Sequence, residues 1–125
     1  MDLKVNSESR VDLIDLTDRL EPEIEEGILI VYSPHTTTGL FINENETNLR
    51  LDIKKMLKTV VKKGGWKHDN QEGNADSHLR GILLGNSVVV PVSKGKLDLG
   101  TWQSVFFAEL DGPRTRKVVV KELKS

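Results

Sequence analysis

The stretch SVVVPVSKGKLDLGTWQSVFFAELDGPRTRKVVVKE, Ser87 to Glu122, sets runs of β-branched and aromatic residues between Lys94-Gly-Lys96 and Asp111-Gly-Pro113. Gly and Pro between such runs mark turns between antiparallel neighbours. Strands are therefore expected at Ser87 to Val92, Leu97 to Leu99, Thr101 to Leu110 and Thr115 to Glu122, joined as a meander and preceded by a short one at Ile82 to Leu84. Working outward, Ile28 to Ser33 is another such run, stopped by Pro34, and Leu40 to Asn43 follows it. Asp2 to Arg10 alternates apolar with polar residues, as an edge strand does. Two segments read as helix. Asp15 or Thr17 is placed to cap a short one running to Glu25. From Asn43, Leu49, Ile53, Met56, Leu57, Val60 and Val61 recur at helical spacing, with Asn43 and Glu46 shaped as a capping box and Gly64-Gly65 as the stop. The sum is an α+β chain of antiparallel, sandwich-like sheets with flanking helices.

A length of 125 residues fits one domain, residues 1–125. Eighteen basic against nineteen acidic side chains give a net charge of −1, which argues against a general nucleic-acid or membrane-surface binder. With no Cys, thiolate zinc, iron–sulfur clusters and cysteine nucleophiles are excluded, and any metal would rest on His and carboxylates. No apolar run approaches the ~20 residues that span a bilayer, and Met1 to Arg10 is too polar for a signal peptide, so a cytoplasmic location is expected. No Walker or dinucleotide fingerprint is present.

The segment Trp66 to Arg80, WKHDNQEGNADSHLR, is polar, aperiodic and holds two of the three His. Long irregular stretches inside small domains are usually functional or mobile. His68 and His78, with Asp69 and Asn74 between them, are ingredients of a divalent-metal site or of an acid/base pair; the alternative is a solvated polar loop. His35 ends an apolar strand before Thr36, Thr37, Thr38 and Gly39, where hydroxyls and free N–H groups suit an anion, though local hydrogen bonding would explain it equally. Trp102 and Gln103 follow Gly100 and could stack on and orient a flat ring, or Trp102 could anchor the core. Arg114 and Arg116 could fork onto phosphate, with Arg114 better read as a solvated turn residue.

Four clusters, His35-Thr-Thr-Thr-Gly39 with Asn43-Glu44, His68 to His78 with Glu72-Gly-Asn74, Leu99-Gly-Thr-Trp-Gln103 and Asp111-Gly-Pro-Arg114, together resemble the YjbQ family, often described as secondary thiamine-phosphate synthase enzymes. The resemblance implies a sandwich-like β structure assembled as a homotrimer, with polar clefts near subunit boundaries. It implies synthesis of thiamine phosphate from hydroxymethylpyrimidine diphosphate and thiazole phosphate, with diphosphate released. On that basis His35, His68, His78 and Asp69 are the expected catalytic residues. Thr37, Asn74, Arg80, Trp102, Gln103, Asp111 and Arg116 are expected to hold a small phosphorylated substrate. A divalent metal, Mg²⁺ or Zn²⁺, is an expected cofactor, with His35, His68 and His78 as its ligands. Two other readings stand beside this one: a metal-dependent hydrolase of a small phosphorylated substrate, and a trimer that binds a phosphate or small ligand without turnover.

Overall fold

A computed structural model describes all residues, Met1–Ser125. Eight strands and two helices run in the order β1 (Asp2–Asn6), β2 (Asp12–Asp15), β3 (Gly27–Tyr32), β4 (Thr38–Asn43), α1 (Thr47–Val60), α2 (Ala75–Leu84), β5 (Ser87–Ser93), β6 (Lys96–Leu97), β7 (Ser104–Glu109) and β8 (Thr115–Lys124). Short 3-10 turns lie at Thr17–Arg19 and Lys67–Asn70. The strands form two antiparallel sheets, ordered β1-β8-β3-β5-β6 and β2-β7-β4.

Strands β3, β4, β5 and β8 lie where strands are expected, but β1 ends at Asn6 rather than running to Arg10, β6 reaches only Leu97, and β7 starts at Ser104 because Thr101 and Trp102 form a turn. Ile82–Leu84 is not a strand, β2 has no counterpart among the expected strands, and the meander does not form. β5 and β6 make the expected hairpin, but β7 crosses to the small sheet between β2 and β4, and β8 returns between β1 and β3. Register then sorts the side chains. Leu29, Val31, Val90, Val92, Val118 and Val120 face inward from the large sheet onto Leu40, Val105 and Phe107 of the small one. On the other face of the small sheet, Phe106, Ala108 and Leu110 pack on Ile53 and Leu57 of α1. β7 is thus covered on both sides, which is why Val105–Leu110 shows no polar alternation. Each such fully buried aliphatic or Phe side chain contributes about 1.5–3 kcal/mol.

Three local expectations are corrected. The helix expected through Glu25 shrinks to one 3-10 turn, because the Asp15 carboxylate binds both the N–H and the hydroxyl of Thr17, and Pro22 and adjacent like charges favour extended chain beyond it. Helix α1 begins at Thr47 rather than at Asn43; Glu46 caps it, accepting from the Asn48 and Leu49 N–H groups, while Asn43 still belongs to β4. The segment 75–84, expected as irregular chain followed by a strand, is helix α2. Its buried residues are Ala75, Asp76, Ser77, Arg80 and Gly81, whereas Ile82 and Leu83 are exposed, so its apolar pattern is inverted.

The outward side of the large sheet is also apolar. Tyr32, Val89 and Leu123 are exposed there, beside half-buried Ile28, Ile30 and Val119. No helix is long and apolar enough to cross a membrane.

Candidate functional site

The site lies at one end of the two sheets, where α2 packs against β4. On β7, Glu109 points the same way as Val105 and Phe107; on β8, Arg116 points the same way as Val118 and Val120. The two therefore meet between the sheets. Arg116 donates to Glu109 through Nε at 2.8 Å and through a terminal nitrogen at 2.6 Å, and also to the Thr37 hydroxyl at 2.9 Å. Ser7 Oγ and the Asp111 N–H complete the carboxylate's partners. Burial pushes the Glu109 carboxyl up, but Arg116, Asp111 and Ser7 outweigh it and hold it below the usual carboxylate range.

His35 follows from the same register. Tyr32 pairs with Val119, so the next residue opposite Lys117 would be Pro34, which has no N–H. The His35 ring fills that place, its Nε2 lying 3.1 Å from both the N and the O of Lys117. Burial first, and the Arg116 charge second, lower the His35 pKa, against the opposing effects of the Lys117 backbone and Glu109, so the ring is neutral at pH 7.

Helix α2 approaches this loop backbone to backbone. A Cβ on Gly81 would stand 2.8 Å from the Thr38 carbonyl oxygen and 3.3 Å from that of Thr36. His78, three residues earlier on the same helix face, is thereby set into a cleft of about 500 Å³ whose walls include His35, Thr36, Thr38, Gly81 and Asn86. A second hollow of about 320 Å³ holds Trp66, His68, Ala75 and Leu79, with His78 between the two. The His68 and His78 rings meet edge to face at 4.9 Å.

The polar face of α2 is satisfied by ionic contacts. Asp76, fully buried, accepts from Arg80 at 2.6 Å and from Arg10 at 3.0 and 3.1 Å. Burial again works to raise its pKa, and the Arg10 hydrogen bonds and both guanidinium charges bring it below the usual value. Arg80 also donates to the Leu57 and Val61 carbonyl oxygens at the end of α1.

These contacts sort the expected residues. His35 and His78 share a cleft, and His68, Asn74 and Asp111 form a chain of contacts beside it. Arg80 does not reach the cleft, because all its bonds go to Asp76 and to helix carbonyls, which corrects its expected substrate role. Asp69 is likewise occupied, accepting from the Trp66 and Ala75 N–H groups. Thr37 is buried under Arg116. Trp102 is 72% exposed and Gln103 only closes its own turn on the Gly100 N–H. Both precede β7 at the end opposite Glu109, roughly 17 Å away at the ordinary strand rise. Within one chain they are not part of the cleft.

The expected three-His metal site does not close within one chain either. No three His, Asp or Glu side chains converge, and His68 Nε2 is already bonded to Asn74. Thr36 and Thr38 line the cleft as the hydroxyl cluster after His35 suggests, whereas nothing in the sequence marks Asn86, which lines it too. Gly81 was the available signal, since a Gly inside a helix often marks a close backbone approach.

An α+β sandwich carrying a histidine-lined cleft beneath a polar helix is the class of protein this geometry defines. The chain belongs to the YjbQ-like UPF0047 family, whose model matches residues 1–125. A UPF0047 protein of Archaeoglobus fulgidus is 53% identical over 98% of this chain and 100% of its own. The UPF0047 protein YugU of Bacillus subtilis is 38% identical over 95% of each chain. Among solved structures, a YbjQ-like protein of unknown function from Sulfolobus solfataricus superposes with a TM-score of 0.96 at 36% identity, covering 100% of this chain and 96% of that one. A YjbQ/UPF0047 protein from Clostridium acetobutylicum gives 0.93 at 37% identity, covering 98% and 99%.

Proposed function

We propose that this chain is a cytoplasmic transferase of the thiamine-phosphate synthase type, working as a homotrimer on two small phosphorylated substrates. The thiazole nitrogen bonds to the pyrimidine methylene carbon as the carbon–oxygen bond to diphosphate breaks. The observation that carries this reading is the placement of His35 and His78 in one cleft of about 500 Å³, within the ~300–1,000 Å³ range of small-ligand sites. A neutral imidazole offers one hydrogen-bond donor and one acceptor for holding a substrate, and the hydroxyls and backbone of Thr36, Thr38 and Gly81 offer further polar contacts. Beyond His35, a hollow of about 370 Å³ carries Lys4, Lys117 and the edge of Arg116 beside Asp2, which pairs with Lys117 at 3.8 Å, so Lys4 is the cation there without a carboxylate partner to meet a phosphate group. The trimer is supported by the apolar outer face of the large sheet, which association would cover. The donors of one chain do not close a metal site, so the divalent cation expected for diphosphate release carries no step here.

The test is synthesis of thiamine phosphate by the purified protein, measured with and without Mg²⁺ and Zn²⁺ against His78→Ala. Product is expected from the wild type, with loss in the variant while its size on gel filtration is unchanged. No product above the His78→Ala control removes the transferase reading. One observation favours a trimer that binds without turnover: both buried guanidiniums near the cleft, Arg80 and Arg116, are already neutralised by carboxylates. That reading predicts thermal stabilisation by the phosphorylated ligands with no product.

A further inference from the structure

Asn74 is the N-cap of α2, a position from which an Asn side chain ordinarily accepts a hydrogen bond from the first turn, yet it makes no such bond. Asp69 does so from outside the helix, its Oδ1 accepting from the Ala75 N–H at 3.1 Å. The Asn74 amide, buried, is thereby released to bridge two other side chains. Its Nδ2 donates to Asp111 Oδ2 at 2.9 Å, and its Oδ1 lies 3.1 Å from His68 Nε2. Arg114 stands 3.3 Å from the same Asp111 oxygen and Arg10 4.0 Å from the other, so cations flank that carboxylate on both sides.

An ionised carboxylate only accepts. The amide must therefore turn its NH₂ group to Asp111 and its carbonyl to His68, and a carbonyl can only accept. It follows that Nε2 of His68 carries a proton and that, in the neutral ring, Nδ1 carries none. That ring stands against His78, which reaches the cleft.

We propose that Asn74, anchored by Asp111, is a positioning residue that fixes His68 as the Nε2–H tautomer and leaves Nδ1 as that ring's one proton acceptor beside His78. The functional meaning rests on the reading of the cleft as the reacting site, but the tautomer can be observed without any substrate.

The chain has only three His, so the imidazole ¹⁵N resonances of labelled full-length protein can be assigned by His→Gln variants. At about pH 8, where imidazoles are ordinarily neutral, wild-type His68 is expected as the Nε2–H tautomer alone. Asp111→Asn, which can both donate and accept, frees the Asn74 amide to turn over, and His68 should then populate both tautomers. The exchange Asn74→Asp with Asp111→Asn rebuilds the chain of bonds, with the residue at 74 accepting from both sides, and should restore the single tautomer. A wild-type His68 that is mixed, or protonated at Nδ1, overturns the proposal whatever the variants do. So does a tautomer that ignores Asp111→Asn in a folded protein. Running the synthesis assay alongside separates the two readings: a fixed tautomer without product removes the transferase and supports the positioning role of Asn74.

Discussion

Arg116→Met would leave the Glu109 carboxylate with no cation at a position of 0% exposure. Two of its four hydrogen bonds vanish, those from Arg116 Nε and its terminal nitrogen, while Ser7 Oγ and the Asp111 N–H remain. Removing one partner of a buried pair costs about 3–5 kcal/mol, most of it the penalty of a stranded charge. In urea, with a slope of ~1–3 kcal/mol per M, that displaces the unfolding midpoint on the order of 2 M. Protomer concentration must be held fixed, because association adds to apparent stability. The double variant Glu109→Leu with Arg116→Met removes both charges, and Ser7 keeps its bonds to the Arg114 backbone, so it should lie within about 2 kcal/mol of the wild type. The pH dependence carries the same sign. In the wild type the Glu109 pKa is depressed on folding, so its contribution is present above the usual carboxylate range and lost as pH falls through the folded value. In Arg116→Met the stranded carboxyl can relieve itself by protonating, so the deficit against wild type should shrink on acidification. A double variant as unstable as the sum of the single losses, or a deficit that grows in acid, would refute the assignment of Arg116 as the counter-ion of a buried charge.

Other expectations follow from the same geometry. His35 is depressed on folding, so neutral His35 favours the fold above the ordinary imidazole range and the contribution falls away as pH drops toward the folded value; His35→Gln should flatten that part of a urea-midpoint profile against pH, and an unchanged profile would exclude His35 as its source. Gly81→Ala forces α2 away from the Thr38 carbonyl and should cost about 1–3 kcal/mol in a thermal melt, whereas full stability would contradict the close approach. Trp102→Ala should change the unfolding free energy by no more than about 0.5 kcal/mol, since the indole is mostly in water; a larger loss would place it under a second copy of the chain.

How legible these features are in the sequence depends on what encodes them. Helix α1 shows its period because Ile53 and Leu57 bury apolar surface against β7, and strands β3, β5 and β8 show as β-branched runs. Helix α2 was invisible for a physical reason. Its inner face is Asp76, Ser77, Arg80 and Gly81, so a search for apolar periodicity finds the wrong face and reads Ile82–Leu84 as a strand. Strand order was illegible because the pairing of β7 with β2 and β4 is a long-range choice that no local turn specifies. The three His stand out in the sequence by their chemistry alone. That Arg80 and Arg116 serve carboxylates rather than ligands could be learned only from the register that buries them.

An element seated through apolar side chains can slide or roll a little at small cost, since contact between hydrocarbons has no direction. Helix α2 has no such freedom. Turning it to bury Ile82 and Leu83 would pull the Asp76 carboxylate out of the grip of Arg10 and Arg80 and lift Gly81 from the one backbone it fits. Its angle about its own axis is thus set by directional bonds, and the heading of the His78 imidazole is set with it. A cleft that needs an imidazole at a defined bearing is served better by a helix clamped through charges than by one resting on oil.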